Sequence, residues 1–175
     1  KPFTVSGGTL TLGDTTQPST ITGGFTLTGG VLGGGSARTL DGTLSWTGGA
    51  LAGPATTTVP AGKTLTISGT ATKGLRGPLH NAGIVVFKDP GTLGFEATSV
   101  LTNAGAFNID GDGLIQRSST DSRFTNLATG TILKRNGVNT AFGPVLENDG
   151  TVRSDVGAIT LVSGTPTSAA STADW

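Results

Sequence analysis

The residues that could do catalytic chemistry in this chain are few. His80 is the only histidine, so a Ser-His-Asp relay would have to pass through it. It directly precedes Asn81, at a position where neighbouring repeat copies carry Thr or Glu, and reads as a variable, solvent-facing site. Glu96 and Glu147 are the only glutamates, and Asp89, Asp121 and Asp155 read as turn acids. Together with Arg76, Arg117, Arg123, Arg135 and Arg153 they leave a polysaccharide-cleaving groove as an alternative, but they assign no catalytic residue and no cofactor. In Asn108-Ile109-Asp110-Gly111-Asp112-Gly113, side-chain oxygens stand at positions one, three and five, as in the opening of a calcium loop. Position twelve is Ser119 where that pattern needs Glu, so a tight Asp/Gly turn is the first reading and a weak calcium site from Asn108, Asp110 and Asp112 the second.

Two polar rows are more regular. Asn81, Asn103, Asn126 and Asn148 are separated by 22, 23 and 22 positions, each in a Leu/Phe-x-Asn context that leads to a Gly. If the copies stack in register, each amide can donate to the carbonyl of the next, which makes a ladder that satisfies polar groups whose burial is otherwise costly. The other row is Thr9 and Thr11, Thr26 and Thr28, Thr43 and Ser45, and Thr64 and Thr66, each pair flanking a Leu. Alternation along a strand then turns the Leu inward and all eight hydroxyls outward on one face. That pattern resembles the Thr-x-Thr array of β-solenoid ice-binding proteins, which implies a lattice that orders water. It lapses after four copies, where Ile84 and Val86, Ala106 and Asn108, and Thr131 and Leu133 follow. Exposed Thr is also an ordinary strand residue.

The elements that hold these rows must be strands. Thirty glycines, abundant Thr, seven Phe, two Trp and few charges disfavour helices. Apolar anchors at Leu10, Leu27, Leu44, Leu65, Val85, Phe107, Ile132 and Val152 recur at steps of 17, 17, 21, 20, 22, 25 and 20. A unit of about twenty residues holds two or three short strands and cannot bury its own apolar face, but stacking solves this by pairing each strand with its equivalents above and below. The expectation is therefore an all-β chain, a parallel β-helix or solenoid of about eight rungs. It forms a single solenoid domain over residues 1–175, with a change of repeat subtype near residue 70. The first stretch holds only Lys1, Asp14, Arg38, Asp41 and Lys63 as charges.

Composition excludes several partners. There are eleven basic and eleven acidic residues, and their scatter leaves no basic stripe for nucleic acid and no polybasic membrane patch. No apolar run reaches the length of a transmembrane span. There is no Cys, hence no disulfide framework and no thiolate metal site.

The Leu-x-Asn-x-Gly-Thr-Val unit, with Trp46-Thr47-Gly48-Gly49-Ala50-Leu51 and Val59-Pro60-Ala61-Gly62-Lys63-Thr64-Leu65-Thr66-Ile67, resembles the degenerate Gly/Thr/Asn-rich repeats of large bacterial surface and secreted proteins. These include filamentous-haemagglutinin-like and autotransporter-like adhesins. The resemblance implies a right-handed β-helix stalk at the cell surface or in the extracellular space, and brings no catalytic residues with it. The function expected is a structural or adhesive module that contacts carbohydrate or host surface, or associates end to end with another copy. A polysaccharide-degrading enzyme is the alternative and an ice-binding protein the third reading.

Overall fold

A computed structural model describes residues 1–13, 17–88 and 91–162. Its 23 strands, each three to six residues long, belong to three sheets in which every pairing is parallel. Each coil contributes one strand to sheet A, one to sheet B and one to sheet C. Sheets A and B hold eight strands and sheet C seven, making seven complete coils and two strands of an eighth among the described residues. The described residues form a parallel β-solenoid without helix.

Sheet A runs from Phe3–Val5 through Phe25–Leu27, Leu44–Trp46, Thr64–Ile67, Ile84–Lys88, Ala106–Asp110 and Thr131–Asn136 to Thr151–Ser154. Two of its columns point inward. One is Phe3, Phe25, Leu44, Leu65, Val85, Phe107, Ile132 and Val152; the other is Val5, Leu27, Trp46, Ile67, Phe87, Ile109 and Lys134. Along the first column the coils are 19 to 25 residues long. Sheet B contributes Leu32, Leu51, Leu75, Leu93, Phe95 and Ile115 to the same continuous core, and sheet C contributes Leu40, Val59, Leu79, Leu101 and Phe124. Phe124 lies edge-on to Phe107 with ring centroids 5.0 Å apart, and 5.2 Å from Phe142, so rings from all three sheets meet in the later coils.

Two of the expected anchors sit elsewhere. Leu10 is on sheet B, opposite Leu32, and Leu27 is in the second inward column, opposite Val5 and Trp46. The residue that stacks on Leu44 is Phe25, and below it lies Phe3. The cause is that sheets A and B both begin with a Gly followed by an alternating apolar strand in these coils, and a slip of two residues preserves which side chains face inward. Both steps of 17 therefore measured distances between unlike positions.

The polar interior changes along the axis. On sheet C the inward column begins Ile21, Leu40, Val59 and continues Asn81, Asn103, Asn126, Asn148. The exchange falls between residues 59 and 81. Each of Gly83, Gly105, Gly130 and Gly150 follows its Asn where the coil turns, with backbone carbonyls of the coil below where a Cβ would stand. Glycine is required there by close approach between coils.

Candidate functional site

The outer side of sheet A in the first four coils carries a grid of hydroxyls. One column is Thr4, Thr26, Ser45 and Thr66, held in direct register by the strand pairing. Two residues farther along each coil is a second column, Ser6, Thr28, Thr47 and Ser68. The ladder continues into it, because the amides of Thr28, Thr47 and Ser68 donate to the carbonyls of Val5, Leu27 and Trp46 at 3.0, 2.8 and 3.0 Å. Thr43 and Thr64 add a partial third column on the other side. Rows are spaced about 4.8 Å apart up the stack, and columns roughly 6.6 Å apart along the strand. None of these ten positions carries a charge.

The grid differs from the expected row in membership. Thr9 and Thr11 lie on sheet B, opposite Val31 and Gly33, and belong to another face. Of the expected set, Thr26, Ser45 and Thr66 lie in the first column, Thr28 in the second, and Thr43 and Thr64 in the partial third. Thr4, Ser6, Thr47 and Ser68 were missed. The signal that finds them is the parity of the buried residues: Val5, Leu27, Trp46 and Ile67 point inward, so their flanking residues point outward. Sheet C has a hydroxyl row of its own, Thr20, Thr39, Thr58, Thr102 and Thr125, interrupted by His80 and followed by Glu147. His80 is thus a surface member of a Thr row. A shallow groove at the turn between sheets C and A, lined by Thr22, Asp41, Thr43, Lys63 and Thr64, joins the two hydroxyl faces. Lys63 reaches Asp41 at 3.1 Å across it.

Beyond the fourth coil the same two columns read Val86 and Lys88, Asn108 and Asp110, then Leu133 and Asn136, with Arg135 an extra residue between them. Charges on the outer faces are tied between coils. Arg76 bonds Glu96 at 2.6 Å, Arg123 bonds Glu147 at 2.8 Å, and Arg135 grips both oxygens of Asp110 at 2.8 and 2.7 Å. The hydrogen bonds and charge of the Asp110 carboxylate hold the Arg135 guanidinium above its ordinary pKa, against the opposing effect of burial.

The Asn ladder points inward. Asn81, Asn103 and Asn126 donate through Nδ2 to Oδ1 of Asn103, Asn126 and Asn148, each at 2.7 Å. The same nitrogens bond carbonyls at the start of sheet A strands farther along the stack, Ala106 at 3.0 Å and Thr131 and Thr151 at 3.2 Å. All four residues are at most 3% exposed, so their amides face the interior and not a ligand.

The residues considered for calcium do not form a cage. Asn108 stands between Val86 and Leu133 and is 8% exposed, and Asp110 is held by Arg135. Asp112 Oδ1 accepts from the amides of Val138 and Asn139 at 2.6 and 2.8 Å and from Lys134 Nζ at 3.3 Å. Desolvation pushes its pKa up, but the two amides and Lys134 outweigh it and hold the carboxyl below its usual range. A hard cation needs several free oxygens, and both oxygens of Asp110 and Oδ1 of Asp112 already accept from N–H donors. Among the described residues no three His, Asp or Glu side chains gather to hold a metal.

Sequence reasoning also missed three buried cations, one per sheet. Arg38 on sheet C gives Nε to Thr57 Oγ1 at 2.7 Å and Nη2 to the Ala52 carbonyl. Lys73 on sheet B gives Nζ to the Gly69 carbonyl at 2.6 Å. Lys134 on sheet A gives Nζ to the carbonyls of Gly111 and Asn136 at 2.7 and 2.9 Å and to Thr140 Oγ1 at 3.0 Å. Each is at most 1% exposed, and burial lowers the pKa of Arg38 and of Lys73. All three bind turn carbonyls, so they act as internal caps.

No protein-family model, curated protein or solved structure matches the chain.

Proposed function

We propose that the domain is a structural and adhesive module of a bacterial surface or secreted protein. In this reading the solenoid is a stiff stalk, and the hydroxyl grid of its first four coils is the contact face for a neutral polyhydroxylated surface such as a polysaccharide. The observation that carries it is the grid. Eight Ser and Thr side chains occupy two unbroken columns on a frame whose backbone ladders fix their spacing. Neutral donors and acceptors at fixed spacing suit a repeating, uncharged partner, and a rigid frame lowers the entropy cost of docking against it.

The test is retention on insoluble polysaccharides of several linkages, comparing the native chain with Ser45→Lys. Ser45 is at the centre of the grid and its side chain points out of the fold, so the variant keeps its melting temperature. The reading expects retention that the variant loses. Equal retention by both, or none by either, contradicts it.

The same grid favours a second reading, in which the ordered partner is ice. Thermal hysteresis or inhibition of ice recrystallisation, abolished by Ser45→Lys, distinguishes it from the first.

A further inference from the structure

Asn136 and Gly137 follow a break in the register of sheet A. Ile109 pairs with Lys134 but Asp110 pairs with Asn136, so Arg135 is an extra residue at a β-bulge. Bulges re-aim the residues beside them. Here the bulge brings the Asn136–Gly137 peptide under Lys134, and three features of that peptide converge on one reaction.

Asn136 is exposed, and its own Oδ1 accepts the Gly137 amide N–H at 2.8 Å. Because Oδ1 is bonded to Cγ, the Gly137 nitrogen lies within about 4 Å of the side-chain carbonyl carbon, close to the separation of a near-attack geometry. The Asn136 main-chain carbonyl accepts from Lys134 Nζ at 2.9 Å, and Lys134 is fully buried. A cation on that oxygen stabilises the negative charge that develops there when the Gly137 N–H is lost. Gly137 has φ +87° and no side chain to shield its nitrogen, while Asp112 pins the next two amides.

We propose that Asn136–Gly137 is a self-modifying site, at which the folded chain converts Asn136 through a cyclic imide into aspartate and isoaspartate, with water as co-reactant. Solvent hydroxide takes the Gly137 amide proton, and the nitrogen forms a bond to Asn136 Cγ. The bond from Cγ to Nδ2 breaks and the nitrogen leaves, protonated, as ammonia. Water then opens the imide at Cγ to give aspartate, or at the main-chain carbonyl to give isoaspartate. No oxidation or reduction occurs. Lys134 is a positioning residue in this reaction. The isoaspartyl product routes the chain through Cβ and displaces the carbonyl that Lys134 holds, and both products place a carboxylate where the native chain has a neutral amide.

The other asparagines are controls within the same molecule. Asn136 is the only Asn followed by Gly. The ladder residues are buried with their amides bonded, and Asn139 receives Thr160 Oγ1 at 2.7 Å and precedes a β-branched residue.

The experiment incubates the purified protein at neutral to mildly alkaline pH in ¹⁸O-labelled water. Peptide mapping by mass spectrometry and an isoaspartate-specific methyltransferase follow each Asn. The expected result is conversion at Asn136 alone, about tenfold or more faster in the folded chain than in the same chain held in denaturant. Lys134→Met places an apolar residue beneath an apolar column and is expected to remove most of that acceleration, while Asn136→Gln abolishes conversion. If the Met variant does not fold, the comparison of folded with denatured native chain still decides. A folded chain that leaves Asn136 unconverted, or converts it no faster than the denatured chain, overturns the proposal.

Discussion

The first four coils and the later ones solve the same packing problem with different chemistry. In the first three coils the inward column of sheet C is aliphatic, Ile21, Leu40 and Val59, and through the fourth coil the outer side of sheet A is an uncharged hydroxyl grid. From Asn81 in the fourth coil onward the sheet C column is an amide ladder, and in the later coils the core gains a cluster of Phe rings and the outer faces carry ion pairs between coils. Backbone pairing is continuous through both. A solenoid can therefore vary its interior and its surface independently, because each coil answers only to its neighbours.

The comparison can be broken most strongly at the aromatic cluster. Phe124→Ala removes a fully buried ring that touches Phe107 and Phe142, and is expected to destabilise by about 3–5 kcal/mol, read as a lower midpoint in urea. A loss below about 1 kcal/mol would mean that the later coils do not depend on that cluster.

Asn103→Ala is next. It orphans Asn126 Oδ1 inside the coil and leaves Asn81 Nδ2 only the Ala106 carbonyl, with an expected cost of about 1–3 kcal/mol. Replacing all four ladder residues by Leu or Val, as the first coils already do, is expected to cost less than the single change, since no ladder amide is then left buried without its side-chain partner. If the fourfold variant is the less stable of the two in denaturant melts, the two interiors are not interchangeable.

Acid separates the halves more gently. The Asp112 carboxyl titrates below its usual range in the fold, so its contribution to stability is complete above the unfolded pKa of about 4 and is lost as pH falls through the lower folded value. Asp112→Asn is expected to flatten that part of the pH–stability curve; an unchanged curve would place the acid sensitivity elsewhere. The smallest effect is expected from Arg123→Ala. Its ion pair with Glu147 is half exposed, so the loss is below about 1 kcal/mol and shrinks further in high salt.

The later coils were legible in the sequence because two requirements coincide once per coil. An inward amide needs its stacked partner, and the turn beside it has no room for a Cβ, so Asn and Gly recur together near 22 residues. The first coils lack that marker. Gly followed by an alternating apolar strand occurs on both sheet A and sheet B there, so the sequence pattern alone stacks Leu10 on Leu27 and puts Thr9 and Thr11 in the grid. The buried cations were hidden for a different reason. A charge is read as exposed by default, although Arg38 shares inward parity with Leu40, Lys73 with Leu75 and Lys134 with Ile132. Parity shows where each side chain points, but only the structure shows the turn carbonyls that receive it.

The central claim, that the first four coils make contact while the later ones extend the stalk, is tested most directly by a matched pair of outward substitutions on sheet A. Retention on the bound polysaccharide is measured by quartz microbalance for Thr26→Lys and for Leu133→Lys, both folded by circular dichroism. The account predicts that Thr26→Lys loses retention and Leu133→Lys keeps it. Loss confined to Leu133→Lys, or equal behaviour of the two, would contradict it.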